Sequence, residues 1–77
     1  MKVFYIRLST IEQVRNFVNI VSKYDYEIDL KSGRYVVDAK SIMGIFSLDL
    51  TRPLTLTVHG KDELEEISSA IAPYLKK

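Results

Sequence analysis

Residues 40–48 read Lys40-Ser41-Ile42-Met43-Gly44-Ile45-Phe46-Ser47-Leu48. Five large apolar side chains fall within nine positions, opened by Lys-Ser and interrupted by a glycine. At about 100° per residue, Ile42, Met43 and Phe46 share one arc of a helix and Ile45 and Leu48 another. A core covers one arc; the other is then either an exposed contact surface or lies inside a loosely packed interior. Gly44 costs a helix about 1 kcal/mol against alanine, so the spacing predicts a short or bent helix, or one whose backbone something approaches closely.

Outward from this segment, the chain alternates strand and helix patterns. Residues 2–8, KVFYIRL, are β-branched and aromatic and predict a strand with Phe4, Ile6 and Leu8 on one face. Ser9 with Glu12, or Thr10 with Gln13, has the spacing of a capping box. The helix it opens should run to about Tyr24, burying Ile11, Val14, Phe17, Val18 and Val21. Tyr26–Lys31 and Arg34–Asp38 alternate on either side of Ser32-Gly33, a hairpin signal. After the short helix and a connection over Asp49–Pro53, Leu54-Thr55-Leu56-Thr57-Val58-His59 has period two with Leu54, Leu56 and Val58 inward. A last helix follows Gly60, with Asp62, Glu63, Glu65 and Glu66 in its first turns, Leu64, Ile67, Ile71 and Leu75 buried, and Lys76-Lys77 at a basic end favoured by the helix dipole. The order β-α-β-β-α-β-α is expected to give an α+β fold, a four-stranded antiparallel sheet with three helices on one face. At 77 residues the chain is expected to form a single domain, 1–77.

Composition narrows the functions. Eleven Lys+Arg against ten Asp+Glu leave a net charge of +1, too small to attract a nucleic-acid backbone or an anionic membrane by charge. The expected open face, with Val3, Tyr5, Arg7, Thr55 and Thr57, lacks the stacked aromatics and basic rim of a nucleic-acid binder. No cysteine is present, so neither a disulfide frame nor a thiolate metal site is available. The apolar run Val3–Ile6 is too short for a signal peptide or membrane span, and a cytoplasmic protein is expected. No phosphate-cradling glycine loop occurs. His59, the sole histidine, has nothing at metal-ligand spacing beside it; it should be an exposed residue sharing a face with Thr55 and Thr57. Neither a metal, a cofactor nor a catalytic centre is expected.

Ser41 stands where the short helix begins. A serine there caps the helix, and the same position tolerates a phosphate, because free N–H groups and the positive end of the dipole point at it, with Lys40 adjacent. Phosphorylation adds about −1.5 to −2 charges, enough to reverse the sign of the whole chain.

These residues resemble HPr, the small histidine-containing phosphocarrier family of the bacterial phosphoenolpyruvate-dependent sugar phosphotransferase system. Lys40-Ser41-Ile42-Met43-Gly44 with Ile45-Phe46-Ser47-Leu48 is similar to the family's regulatory-serine motif, and Ser22-Lys23-Tyr24-Asp25 with Ile28-Asp29-Leu30 looks like the end of its first helix and its second strand. The likeness runs from about Ser22 to Leu48, and more loosely through Thr55-Leu56-Thr57-Val58 and Gly60-Lys61-Asp62. It implies the family's open-faced β-sandwich. It departs at the N-terminal third, where the family carries phosphate on a histidine at the start of the first helix, followed two residues later by arginine and then proline. Here that place reads Ser9-Thr10-Ile11-Glu12-Gln13 after a shorter loop. Thr10 is a poor nucleophile without a neighbouring base, and Glu12 repels a phosphoryl group.

The resemblance therefore implies an HPr-like protein with a degenerate phosphohistidine site at Thr10 and Glu12, not an enzyme. The expected role is regulation or protein contact through Lys40, Ile42, Met43 and Phe46, with Ser41 as a candidate phosphorylation switch. A serine kinase, a transcriptional regulator, components of the phosphotransferase system and a second copy of the chain are the partners expected, and nucleic acid and membrane are not. The alternative is a phosphoryl carrier using Ser9, Thr10 or His59 as acceptor.

Overall fold

The computed structural model describes residues 1–60 and 64–76. The elements are β1 (Lys2–Ile6), α1 (Ile11–Val21), β2 (Glu27–Ser32), β3 (Tyr35–Asp38), α2 (Ile42–Phe46), β4 (Leu54–His59) and α3 (Glu65–Ala70), with a 3₁₀ turn over Ala72–Tyr74. The strands form one sheet in the order β1-β4-β2-β3, every neighbour antiparallel. The expected α+β architecture of four strands and three helices is present.

Strand alternation places the core. Leu54, Leu56 and Val58 of β4 are fully buried; Leu54 and Leu56 lie opposite Ile6 and Phe4 of β1, while Leu56 and Val58 lie opposite Leu30 and Ile28 of β2. Against this face α1 lays Val14, Phe17 and Val21, α2 lays Ile45, and α3 lays Ile67, with Leu8, Leu48 and Ile71 from the connections. Phe17 also meets Tyr74 edge to face, ring centroids 6.0 Å apart. The β2–β3 hairpin turns on Gly33 and Arg34, and Gly33 has φ of 60°. That left-handed first loop residue is what a tight two-residue turn asks of glycine.

Four expectations need correction. Ile11 is 66% exposed, because the first residue of α1 lies beyond the edge of the core. α1 ends at Val21, with Ser22, Lys23 and Tyr24 forming closing turns. The last helix ends at Ala70: Pro73 lacks the N–H to continue it, and the chain instead runs along β1, where Lys76 N–H donates to the Tyr5 carbonyl and Leu75 bridges to Ile6. Lys76 is therefore in extended backbone beside a strand. Asp62, Glu63 and Lys77 lie outside the described residues; Glu65 and Glu66 do occupy the first turn of α3.

The tyrosines that close α1 and open β2 fix the far end of the sheet. Tyr24 and Tyr26 stack with centroids 6.2 Å apart and planes 8° from parallel, and the Tyr24 hydroxyl donates to Glu66 Oε1 at 3.3 Å. Desolvation, then the Glu66 carboxylate, holds the Tyr24 phenol above its ordinary value. Gly60 is buried under this stack: a Cβ there would lie 2.7 Å from Leu64 Cδ2 and 2.9 Å from Tyr26 ring carbons. Leu64 can rotate away; a stacked ring cannot without breaking its partner contact. Gly60→Ala is expected to destabilise the fold by about 1–3 kcal/mol, read as a lower urea midpoint with unchanged slope.

Candidate functional site

Two helix starts were singled out by the sequence, and α1 and α2 pack against each other in the structure. At the first, Thr10 has extended backbone and its Oγ1 accepts from Gln13 N–H at 3.0 Å. The Gln13 side chain reaches back, its Oε1 accepting from Ser9 N–H at 2.7 Å. The capping pair is therefore Thr10 with Gln13. Glu12, the other candidate, takes no part in the cap and stands exposed in the first turn. Thr10 Oγ1 is thus engaged by the backbone, with Ile11 and Glu12 beside it in solvent.

At the second start, Ser41 Oγ accepts from Gly44 N–H at 3.1 Å. Ser41 N–H donates to the Asp38 carbonyl at 3.0 Å, so the turn out of β3 sets the cap. Lys40 is not part of this group: its Nζ donates to the Tyr24 carbonyl, and its N–H to Asp38 Oδ1 at 2.9 Å. Its ammonium is held by the carbonyl of Tyr24, just past the end of α1.

Gly44 has a packing reason. A Cβ there would fall 3.2 Å from both Val37 Cβ and Ser41 Oγ. α2 therefore rests directly on β3, and its two arcs separate as the helical wheel indicates. Ile45 is fully buried and Leu48 nearly so, whereas Met43 is 77% and Phe46 41% exposed. Ile42 belongs to neither extreme: it is half-buried and packs against the core. The outward apolar surface is Met43 and Phe46, with Ile42 at its margin.

His59 is at the other end of the sheet. Because β1 and β4 are antiparallel, Ile6, which leads to α1, pairs with Leu54, while Lys2 pairs with Val58 next to His59. The imidazole is not isolated, however: His59 Nε2 lies 2.7 Å from Asp29 Oδ2, each side chain about one-third exposed. Alternation along β2 puts Asp29 on the open face, but only the β2–β4 register, Glu27 opposite His59, brings the two within reach. No local sequence pattern encodes that register.

A cleft of about 330 Å³ was also not foreseen. It opens between the β2–β3 turn and the connection after α2, lined by Ser32, Arg34, Tyr35, Ser47, Asp49 and Arg52 among others. Asp49 turns inward on its own loop, accepting from Thr51 N–H at 3.0 Å, and bonds to the Thr51 hydroxyl with Arg52 Nε 3.7 Å away. Those Thr51 bonds, and less strongly Arg52, hold its carboxyl below the usual range. Among the described residues, no three His, Cys, Asp or Glu are placed to hold a metal, and no helix is long and apolar enough to cross a membrane.

Similarity to known proteins follows the same division. Residues 13–77 match the PTS-HPr family model, described as the PTS HPr component phosphorylation site; Ser9 to Glu12 lie outside the matched range. The chain is similar to the crystal structure of HPr-C-His from Thermoanaerobacter tengcongensis, with a TM-score of 0.80 and 30% identity over 96% of this chain and 91% of that one. It is also similar to the phosphocarrier protein HPr from Bacillus anthracis strain Ames, with a TM-score of 0.66 and 29% identity over 97% of this chain and 94% of that one. With residues 13–77 matched by the family model and the fold shared with solved HPr structures, the chain belongs to the HPr family of the phosphotransferase system.

Proposed function

We propose that this member of the phosphocarrier family works by contact, as a non-catalytic regulatory or adaptor protein of the cytoplasm that docks other proteins through Met43, Phe46 and the margin at Ile42. The observation that carries the reading is the exposure of Met43 and Phe46 on a helix whose other side, Ile45 and Leu48, is already held in the core. The helix needs no second apolar face for folding. Exposed aromatic and methionine side chains are the kind enriched in protein interfaces. Components of the phosphotransferase system, a serine kinase and a transcriptional regulator are the partner classes that family membership suggests.

The start of α1 supports the same reading from the chemical side. A phosphohistidine site needs an imidazole nucleophile, donors for the phosphoryl oxygens and a cation. Residues 9–13 contain no histidine or arginine, Thr10 offers a hydroxyl that caps the helix in place of an imidazole, and Glu12 adds a negative charge in the first turn that repels an incoming phosphoryl group. Ser41 is the position at which such a surface could be switched. It is half-exposed, and a phosphate on Oγ would put a dianion beside Ile42 and Met43.

A second reading, phosphoryl transfer through another acceptor, has the Asp29–His59 contact in its favour. In a neutral imidazole, a carboxylate accepting from Nε2–H leaves Nδ1 as the unprotonated, nucleophilic nitrogen. Against it, Glu27 is the cross-strand neighbour of His59, so an incoming phosphoryl group would meet two carboxylates. Ser9 and Thr10 offer hydroxyls without a base.

Three outcomes test the proposal. Incubated with enzyme I and labelled phosphoenolpyruvate, the chain should remain unlabelled; acid-labile label lost in His59→Gln would establish the second reading. In pull-downs with purified candidate partners, Met43→Asp should abolish binding and Ser41→Asp should change which partners bind, whereas full retention by Met43→Asp rules out α2 as the interface. Ser41→Ala should cost about 1 kcal/mol in denaturant unfolding through loss of the cap, while Ser41→Asp, itself a good cap, should cost less.

A further inference from the structure

The two edges of the sheet are treated differently. On β1 the outer edge is covered by the chain's own C-terminal segment: Arg7 N–H donates to the Tyr74 carbonyl at 2.8 Å and Lys76 N–H to the Tyr5 carbonyl at 2.8 Å. On the outer side of β3 no further strand pairs among the described residues. Ala39 N–H donates to the Ile28 carbonyl at 2.9 Å, so by the alternation of an antiparallel ladder Tyr35 and Val37 turn their backbone groups toward β2, and Val36 and Asp38 turn theirs outward. Ser41 takes the Asp38 carbonyl. The N–H and carbonyl of Val36 face outward, on a residue whose side chain is itself 57% exposed.

The charges beside Val36 are also unanswered within one chain. Asp38 stands directly opposite Asp29 in the β2–β3 register, and like charges in that position destabilise a sheet. Asp29 is met by His59; among the described residues the carboxylate of Asp38 receives only the backbone N–H of Lys40. Arg34, two residues before Val36, has no carboxylate in salt-bridge range among the described residues.

We propose that β3 pairs antiparallel with β3 of a second copy of this chain, about a two-fold axis through Val36. Each Val36 exchanges both backbone bonds with its counterpart, and residue 34 of each copy falls opposite residue 38 of the other. Arg34 then meets the Asp38 left over from the Asp29 pair, twice over. The same register sets Tyr35, 72% exposed in one chain, opposite Val37 of the second copy. An extended peptide of arbitrary sequence would satisfy Val36 but not the two charges, and this self-complementarity selects a second copy. β3 has only four residues, so the interface belongs to the small, weak class below about 1,200 Å², with dissociation in the micromolar to millimolar range.

Sedimentation of the full chain over a concentration series tests this. The wild type should show a reversible monomer–dimer equilibrium, weakened by salt because the Arg34–Asp38 contacts are at the surface. Arg34→Glu and Asp38→Lys should each weaken it at least about tenfold, equivalent to about 1.4 kcal/mol, by setting like charges opposite one another. The double variant, which exchanges the two charges, should recover most of the loss. Val36→Pro, which removes the central donor at an edge position where proline is tolerated, should give a monomer, with circular dichroism showing that each variant remains folded. A wild type that is monomeric at about 1 mM, or a double variant no tighter than the singles, overturns the proposal. So does a dimer lost in Met43→Asp but unchanged in the charge variants, which would place self-contact on α2.

Discussion

The position of β4 between β1 and β2 governs the molecule. Its inward residues, Leu54, Leu56 and Val58, are each flanked by apolar side chains of a neighbouring strand and lie beneath the helices. A one-residue slip would carry all three to solvent and bring Thr55, Thr57 and His59 under the helices. The register is therefore fixed by burial, and with it the distances that matter for function. The antiparallel β1–β4 pair sends Ser9 and Thr10 out at one end of the sheet and His59 at the other. No adjustment of loops brings the histidine to the start of α1 while β4 keeps its face.

α2 shows how a five-residue helix is held without length to stabilise it. Isolated helices of this size do not persist in water. This one is kept by Ser41 at its entry, by Ile45 and Leu48 in the core, and by the close approach of Gly44 to Val37. An alanine there gains helix propensity, but its Cβ would lie 3.2 Å from Val37 Cβ and from Ser41 Oγ, so the neighbours must give by a few tenths of an ångström. The helix is thus anchored through its inner arc. Met43 and Phe46 are left exposed on the outer arc.

Much of this was legible in the sequence because it depends on period alone. The strict alternation of Leu54 to His59, the three- and four-residue spacing of Val14, Phe17 and Val21, and the two arcs of residues 42–48 each state which side faces inward, and the structure agrees except at Ile42, which is half-buried against the core. The errors occur where periodicity has no end signal. Ile11 continues the stripe of α1 but precedes the region where the sheet lies beneath it, and Leu75 continues the stripe of α3 although Pro73 has already turned the chain toward β1. What depends on pairing was not legible at all. The Asp29–His59 contact, the cleft beside Arg34 and Arg52, and the redirection of Lys40 to Tyr24 each join elements distant in sequence, through a register or a loop closure that no local pattern encodes.

The two helix starts can be weighed against each other on the same physics. Both present a hydroxyl to a backbone N–H three residues on, and both sit at the positive end of a dipole. At α1 the first turn adds the exposed carboxylate of Glu12 beside a hydroxyl that accepts from Gln13 N–H, so added negative charge there meets repulsion. At α2 the first turn carries no acid, and a charged oxygen in place of Ser41 Oγ would keep the Gly44 N–H as its donor. Lys40, held by Tyr24, would contribute less than its place in the sequence suggests. On the reading proposed for this chain, the capacity to respond to charge has passed from the first helix to the second, and the consequence of such a charge would be felt by the apolar surface next to it rather than by a bound phosphoryl group awaiting transfer.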